Sequence, residues 1–581
     1  MIGRLLRRGE RLAAPANADG TAHPVVSPWL IPPRVAWSVT VVAGLGLFSY
    51  LHVTEGGGGG LFASAVMGTI GAFLVVIFRR LLSAVAVVSA TIAIISAASS
   101  TKQQAAEVLL HAHDVVALAS WSTLAHFGRE YRQGALGLLT AVTATAIIAW
   151  GAFRIDGTRI RRMHASIAAA AFLALAGLGS VAKGERRHTE FYFENQYVSF
   201  FLASWSETIE ALWRGTLIEA TPNAPAAGLT PPTACEPRER PPHIILVHQE
   251  SVVPPSHFPT LSYDRNLDPF FYSHDGQLRK LHVETFGGGS WLTEFSVLTG
   301  LSTYSFGGMR QFVQQIMAGK VKDTLPQALA RCGYRNVVFY PMLRQFLGAG
   351  KFFEGVGLRE IYDAKDQGAR LPNERDRFYY ANLLAEIGRH LKSSSQPLFA
   401  YLETMATHGA YDYAYMPEVD VPGAGPGTDP EMHEYLRRLA MARIDYIHLR
   451  AELWRRFPDQ QFLIVHYGDH QPTAARTLLG LPASTTIEKV MESKNEAALT
   501  TYYAIDAVRY QPPPLPAVDR LDVPYLGTIV LEAARLPLSD SYRARRRLML
   551  LCKGRYHDCS AQDEILEFQR RLIDAGLVDA R

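Results

Sequence analysis

The sequence predicts a chain in two parts: an α-helical membrane domain, then an α/β domain with a mostly parallel central sheet. Three observations predict it. The first third of the 581 residues is dominated by Ala, Val, Leu, Ile and Gly, and holds five apolar stretches almost free of charge. Most of the Asp, Glu, Pro and Tyr come later. In that later part, short apolar runs alternate with helical patterns, as strands and crossover helices do in a parallel sheet. The whole chain is 48% hydrophobic and 19% charged, apolar for a soluble protein but not for a wholly membrane-embedded one. Its net charge of +4 supplies no basic field for nucleic acid, which is excluded as a partner.

Residues 35–53, 60–78, 81–98, 134–153 and 163–182 are each long enough to cross about 30 Å of hydrocarbon. Arg4, Arg7, Arg8 and Arg11 precede the first stretch, Arg79 and Arg80 separate the second from the third, and Arg154, Arg159, Arg161 and Arg162 precede the fifth. With five spans these groups share one side, so residues 1–34 are expected to be cytoplasmic and the chain beyond 182 to lie outside. Lys183, Arg186 and Arg187 pull the other way. Residues 105–127 carry Glu107, His111, His113 and Asp114, costly at mid-membrane, and read as an interfacial amphipathic helix. Were that segment to span, the count would be six and the last domain would face the cytoplasm. Residues 183–241 read as a juxtamembrane helix followed by a Pro- and Ala-rich linker.

The α/β domain is expected over 242–581, with strands in "HIILVHQE", "RKLHVET", "NVVFYP", "PLFAYLETM", "QFLIVHYGD" and "TTYYAID". Ligands of such sheets collect beyond the carboxyl ends of the strands. Three ends carry chemistry: "ILVHQES" with Glu250, "LHVETFGGGS" with Ser290, and "FLIVHYGDHQP" with Asp469 and His470. Two carboxylates, a hydroxyl and an imidazole make an oxygen and nitrogen set suited to one divalent ion, Mn or Zn. In "FGGGSWLTEFSVLTG" the glycines admit close approach of a ligand to the backbone, and the helix start offers unpaired N–H groups to a phosphate. Cys235, Cys332, Cys552 and Cys559 form no CxxC pair. Three disulfide pairings are open to them in an oxidising compartment, Cys552 with Cys559 being the local one.

The segments "HQES", "GGGSWLTEFSVLTGL", "LETMATHG" and "HYGDHQP" resemble the alkaline phosphatase/sulfatase superfamily. More narrowly they are similar to membrane-anchored lipoteichoic acid synthases and periplasmic phosphoglycerol transferases. The resemblance covers the span pattern and roughly residues 242–536. It implies a sulfatase-like catalytic domain outside the bacterial inner membrane, with Glu250, Asp469 and His470 as metal ligands and Ser290 as both ligand and nucleophile, where the family has threonine. It also places His408 of "MATHG" at the substrate phosphoryl group or its leaving oxygen. The family's Trp and Arg of the glycerol-phosphate pocket have no clear match, and Arg344 or Lys351 is the expected substitute. Ser290 is followed by Trp-Leu-Thr-Glu rather than x-Pro-x-Arg, which disfavours sulfatase chemistry. The implied reaction moves phosphoglycerol from phosphatidylglycerol to a cell-envelope glycan. The alternatives are phosphoethanolamine transfer, phosphodiester hydrolysis and a non-catalytic membrane scaffold.

Overall fold

The computed structural model describes residues 30–106, 109–118, 132–182, 196–214, 216–222, 228–232, 235–237, 239–421, 425–493 and 495–580. The chain divides into two compact units.

The first is helical: α1 (Pro33–Thr54), α2 (Gly56–Phe78), α3 (Leu81–Ala106), α4 (Ala112–Leu118), α5 (Arg132–Ile155) and α6 (Arg162–Ala182), with α7 (Tyr197–Arg214) beginning in it. Four described helices are long and apolar enough to cross a membrane: Pro33–Thr54, Gly56–Phe78, Leu81–Gln103 and Gly134–Ile155. Their outward side chains, such as Leu45, Phe73, Ile147 and Trp150, are apolar and exposed, as lipid-facing positions are. The fifth expected span is helical too, over Arg162–Ala182, and Arg162–Leu178 within it is apolar but shorter than the other four. Of the interfacial helix expected at 105–127, only the short α4 is described. There Asp114 accepts a hydrogen bond from the His111 N–H at 2.8 Å and pairs with Lys102 at 2.7 Å. Glu107, Lys183, Arg186, Arg187 and the basic N-terminal residues lie outside the described residues.

The second unit is built on an eight-stranded sheet: β1 (His243–Gln249), β2 (Arg279–His282), β3 (Arg335–Phe339), β4 (Glu360–Tyr362), β5 (Leu398–Glu403), β6 (Phe462–Gly468), β7 (Thr500–Val508) and β8 (Leu521–Asp522). Their order is β4-β3-β5-β1-β6-β7-β2-β8. From β4 to β6 every pairing is parallel, and β7 joins both β6 and β2 in antiparallel fashion. β1 is buried along its whole length, with alternate residues in different cores: Ile244 and Leu246 in one, Ile245 and Val247 in the other. A central strand covered on both faces needs such an unbroken apolar run. The first core takes in α8 (Ser290–Thr299) and the second takes in α9 (Asp376–Ser393) and α10 (Pro430–Arg456).

Two disulfides hold this unit, Cys552–Cys559 and Cys235–Cys332. They close loops with sequence separations of 7 and 97. On loop entropy alone, removing the long-range bridge costs about 4–5 kcal/mol and removing the local one about 2–3 kcal/mol. Denaturant unfolding of the full chain is therefore expected to show Cys235→Ser/Cys332→Ser as the more damaging pair. A larger loss from the Cys552–Cys559 pair would contradict this.

Candidate active site

The sheet brings the expected residues together at one edge. β1 and β6 are parallel neighbours with Gln249 opposite Gly468, so the next residues, Glu250 and Asp469, emerge side by side. Gly468 is required there: a Cβ would sit 1.8 Å from the Val252 carbonyl oxygen. Asp469 is fixed by the backbone, its Oδ1 accepting from the N–H of Ser251 and of His470, both at 2.8 Å. Ser290 is the first residue of α8, preceded by Gly289 at φ 81°. A side chain at Gly289 would be strained by that φ and would press on Thr285. The Gly287 N–H bonds the Gln471 carbonyl at 3.0 Å, tying the glycine loop to the Asp-His segment.

As a result the Ser290 hydroxyl donates to Glu250 Oε2 at 2.9 Å and lies 3.3 Å from His470 Nε2. His470 Nε2 is also 3.3 Å from Glu250 Oε1 and 3.4 Å from Asp469 Oδ2. Its Nδ1 lies 2.9 Å from the Gln471 carbonyl, which only accepts, so Nδ1 carries a proton, and Nε2 is the nitrogen that would give up its own proton to bind a cation. Burial works to lower the His470 imidazole, but the Asp469 and Glu250 carboxylates raise it to about 9. For Glu250, burial opposes ionisation, yet His470 holds the carboxyl well below its ordinary range.

This donor set fits a cation. Asp469 Oδ2 and His248 Nε2 are buried and pair with each other at 3.0 Å, and neither has a further hydrogen-bond partner among the described residues. Ligand atoms of His248, Glu250 and Asp469 all fall within 4.8 Å of one another. A divalent ion would give these atoms a shared partner and offset the clustered negative charge.

His408 follows β5, on the other side of β1. Thr407 Oγ1 donates to the Glu250 carbonyl, which carries the loop to the cluster. His408 Nδ1 donates to the Gly409 carbonyl at 2.6 Å, leaving Nε2 free for a substrate. Arg438 of α10, fully buried, donates to the carbonyls of His408 at 2.6 Å, Ala410 at 2.9 Å and Tyr413 at 3.1 Å. Its guanidinium also meets the rings of Tyr411, Tyr413 and Tyr415 and pairs with Glu434.

Residues 242–489 match the family model described as Sulfatase. This part of the chain is similar to sulfatase domains. All the residues just described lie within it. A curated relative, an uncharacterised protein of Haemophilus influenzae, is 23% identical over 372 residues, covering 59% of this chain and 62% of that protein. Among solved structures, the phosphoglycerol transferase GacH of Streptococcus pyogenes, in complex with sn-glycerol-1-phosphate, is 16% identical, with a TM-score of 0.46 over 59% of this chain and 87% of that one. The lipooligosaccharide phosphoethanolamine transferase EptA of Neisseria meningitidis, an integral membrane protein, is 13% identical, with a TM-score of 0.46 over 88% of this chain and 96% of that one.

Two expected site residues are not brought to this cluster by any described contact. Arg344 pairs with Asp363 at 3.0 Å and with Asp366, which commits its guanidinium elsewhere. Lys351 is exposed on the helix Ala349–Val356. Conversely, His248 was overlooked. It lies two residues before Glu250 along the strand, hence on the same face, and that spacing was the available signal. Glu294 and Glu403 were overlooked as well. Burial raises both carboxyls, and in Glu403 the neighbouring Glu294 adds to it.

Asp376 supports the His408 loop from below, its Oδ1 accepting from the N–H of Met405 at 3.2 Å and of Ala406 at 2.9 Å. Burial raises its carboxyl from 3.8 to about 7. The folded state therefore keeps a proton that the unfolded chain has released, and stability falls as pH rises from about 4 towards 7. Relative to Asp376→Asn, which has no proton to lose, the wild type is expected to lose on the order of 3 kcal/mol across that window. Melting curves at pH 5 and pH 8 check it; parallel pH dependence in both proteins would refute it.

Proposed function

We propose that this protein is a metal-dependent transferase that moves phosphoglycerol from phosphatidylglycerol to a cell-envelope glycan through a phosphoryl-serine intermediate. The observation that carries the reading is Ser290 Oγ, held at a helix N-terminus against Glu250 and His470. There a nucleophile, acidic groups and phosphate-binding N–H groups coincide. A lipid donor suits a chain whose described residues include four helices of membrane length. The two disulfides and the placement of the arginines support a catalytic domain outside a bacterial inner membrane.

In the first step Ser290 Oγ forms a bond to phosphorus and the bond to the diacylglycerol oxygen breaks. Glu250 Oε2, which accepts the Ser290 hydrogen bond, orients the hydroxyl, and its proton is lost to solvent. His408, with Nδ1 engaged by Gly409, delivers a proton from Nε2 to the departing oxygen. In the second step a glycan hydroxyl gives its proton to His408 and attacks phosphorus, the Ser290–phosphorus bond breaks, and Ser290 Oγ regains a proton from solvent. The first two N–H groups of α8 steady the phosphoryl oxygens throughout. Glu250, Ser290, Asp469 and His470, with His248 beneath them, would hold one Mn or Zn ion, which supplies Lewis-acid charge that favours ionised serine and offsets the phosphoryl oxygens.

The test offers the full-length protein vesicles of labelled phosphatidylglycerol or phosphatidylethanolamine, with and without a glycan acceptor. Diacylglycerol release from phosphatidylglycerol, with label on Ser290 and then on the glycan, is expected. Release only from phosphatidylethanolamine would transfer the reading to the other headgroup, and label appearing only in water-soluble phosphate would make the protein a hydrolase. No release from either lipid ends the proposal.

A further inference from the structure

The helical unit contains a cavity of about 790 Å³, walled by α1, α2, α3 and α6. Leu47, Met67, Val88 and Phe172 are typical of its lining, and most of the rest is equally apolar. Along α1 it extends from Trp37 to Leu51, about 21 Å at about 1.5 Å per residue. That exceeds the roughly 15 Å of hydrocarbon in one leaflet. Space of this size and polarity does not hold water, which needs two or more polar partners. It does suit a fatty acyl chain.

One end of the cavity differs from the rest. Arg159, Arg161 and His164 line it there, from the segment joining α5 to α6 and the first turn of α6. That segment is pinned: the Ile160 N–H bonds the Arg79 carbonyl at 3.1 Å, and Arg79 Nε returns a bond to the Ile160 carbonyl at 3.2 Å. Asp156 accepts from the Leu82 N–H at 2.8 Å and the Thr158 N–H at 2.7 Å. Arg159 and Arg161 are exposed, and among the described residues neither has an acidic partner. Two unpaired guanidiniums at the rim of a chain-shaped apolar cavity are complementary to a phosphate esterified to an acyl-bearing glycerol.

We infer that this cavity binds an anionic phospholipid, one acyl chain inside and its phosphate between Arg159, Arg161 and His164. The site is separate from the chemistry assigned to Ser290 and does not depend on it. Its occupant completes the packing of four helices that otherwise leave a void between them. Preference for an anionic headgroup comes from the arginines, and overall occupancy from the apolar walls.

The experiment uses the full-length protein in mild detergent, incubated with equal amounts of phosphatidic acid and phosphatidylcholine of matched chains, and read by native mass spectrometry. Phosphatidic acid has no headgroup to transfer, so the outcome stands whether or not the transferase reading does. One bound phosphatidic acid per chain is expected, enriched roughly tenfold over phosphatidylcholine. Arg159→Gln/Arg161→Gln is expected to bring the two lipids to near equality. Gly44 lines the cavity, and a Cβ there meets no atom within 4 Å, so Gly44→Leu fills the space and is expected to lower occupancy by both lipids. Equal binding of the two lipids by the wild type, or enrichment that survives loss of both arginines, overturns the proposal. So does occupancy indifferent to Gly44→Leu, and where that variant is not monodisperse, the arginine pair decides alone.

Discussion

Ser290→Ala is expected to lower diacylglycerol release from phosphatidylglycerol by about 10⁴-fold or more and to abolish labelling of the protein. The expected loss is this large because the hydroxyl is the atom that forms the new bond, and no described neighbour offers a second nucleophile in the same position. The fold should survive. Ser290 opens α8 but makes no side-chain cap bond, so alanine removes no helix anchor. Glu250 keeps a donor in Ser251 Oγ, at 2.8 Å. Melting temperature should accordingly stay near the wild-type value while turnover disappears, and Ser290→Thr should recover part of the rate. Retention of a tenth of the activity by Ser290→Ala would remove serine from the chemistry.

The second large effect is expected at Arg438, which touches neither Ser290 nor the carboxylate cluster. It is a positioning residue: its guanidinium gathers three carbonyls of the His408 loop and is balanced by Glu434. Arg438→Ala leaves a partly buried Glu434 and three carbonyls without that partner, at a cost of about 3–5 kcal/mol. Arg438→Lys keeps the charge but cannot reproduce the fork. The lysine variant should fold, lose about 10²-fold in kcat through a misplaced His408, and keep its KM. It should also weaken the limb of the pH profile that reports the proton donor, which a merely structural defect would not alter selectively. Equal effects of Arg438→Lys on kcat and KM, with an unchanged pH profile, would dismiss the positioning role.

The elements legible in the sequence were those whose pattern is local. The apolar runs around Ile244, Leu281, Val337, Phe399, Leu463 and Tyr502 all became strands, because a buried strand must be apolar over its own length. β4 and β8, three and two residues long, are too short to make a pattern. Apolar runs also do not encode strand direction, so the antiparallel placement of β7 between β6 and β2 was not readable. In the site, Glu250, Ser290, Asp469 and His470 were readable because each follows a strand or a glycine turn. His248 offers only its two-residue spacing from Glu250 as a signal, since a histidine within an apolar strand otherwise looks like any other core position. Arg438 lies 30 residues from His408 along the chain, and only the packing of α10 against the loop connects them. Arg344 illustrates the opposite failure: a cation in the right neighbourhood of the sequence whose charge is taken up by two aspartates that follow β4.

The Cys235–Cys332 bridge bears on how this domain can be handled in isolation. Cys235 lies upstream of Pro242, where the sulfatase match begins. A recombinant fragment trimmed to that boundary would leave Cys332 as a bare thiol, open to intermolecular oxidation and dimer formation. A fragment that starts before Cys235 and is secreted through an oxidising compartment keeps the staple closed, and with it the anchored entry of the polypeptide into the sheet.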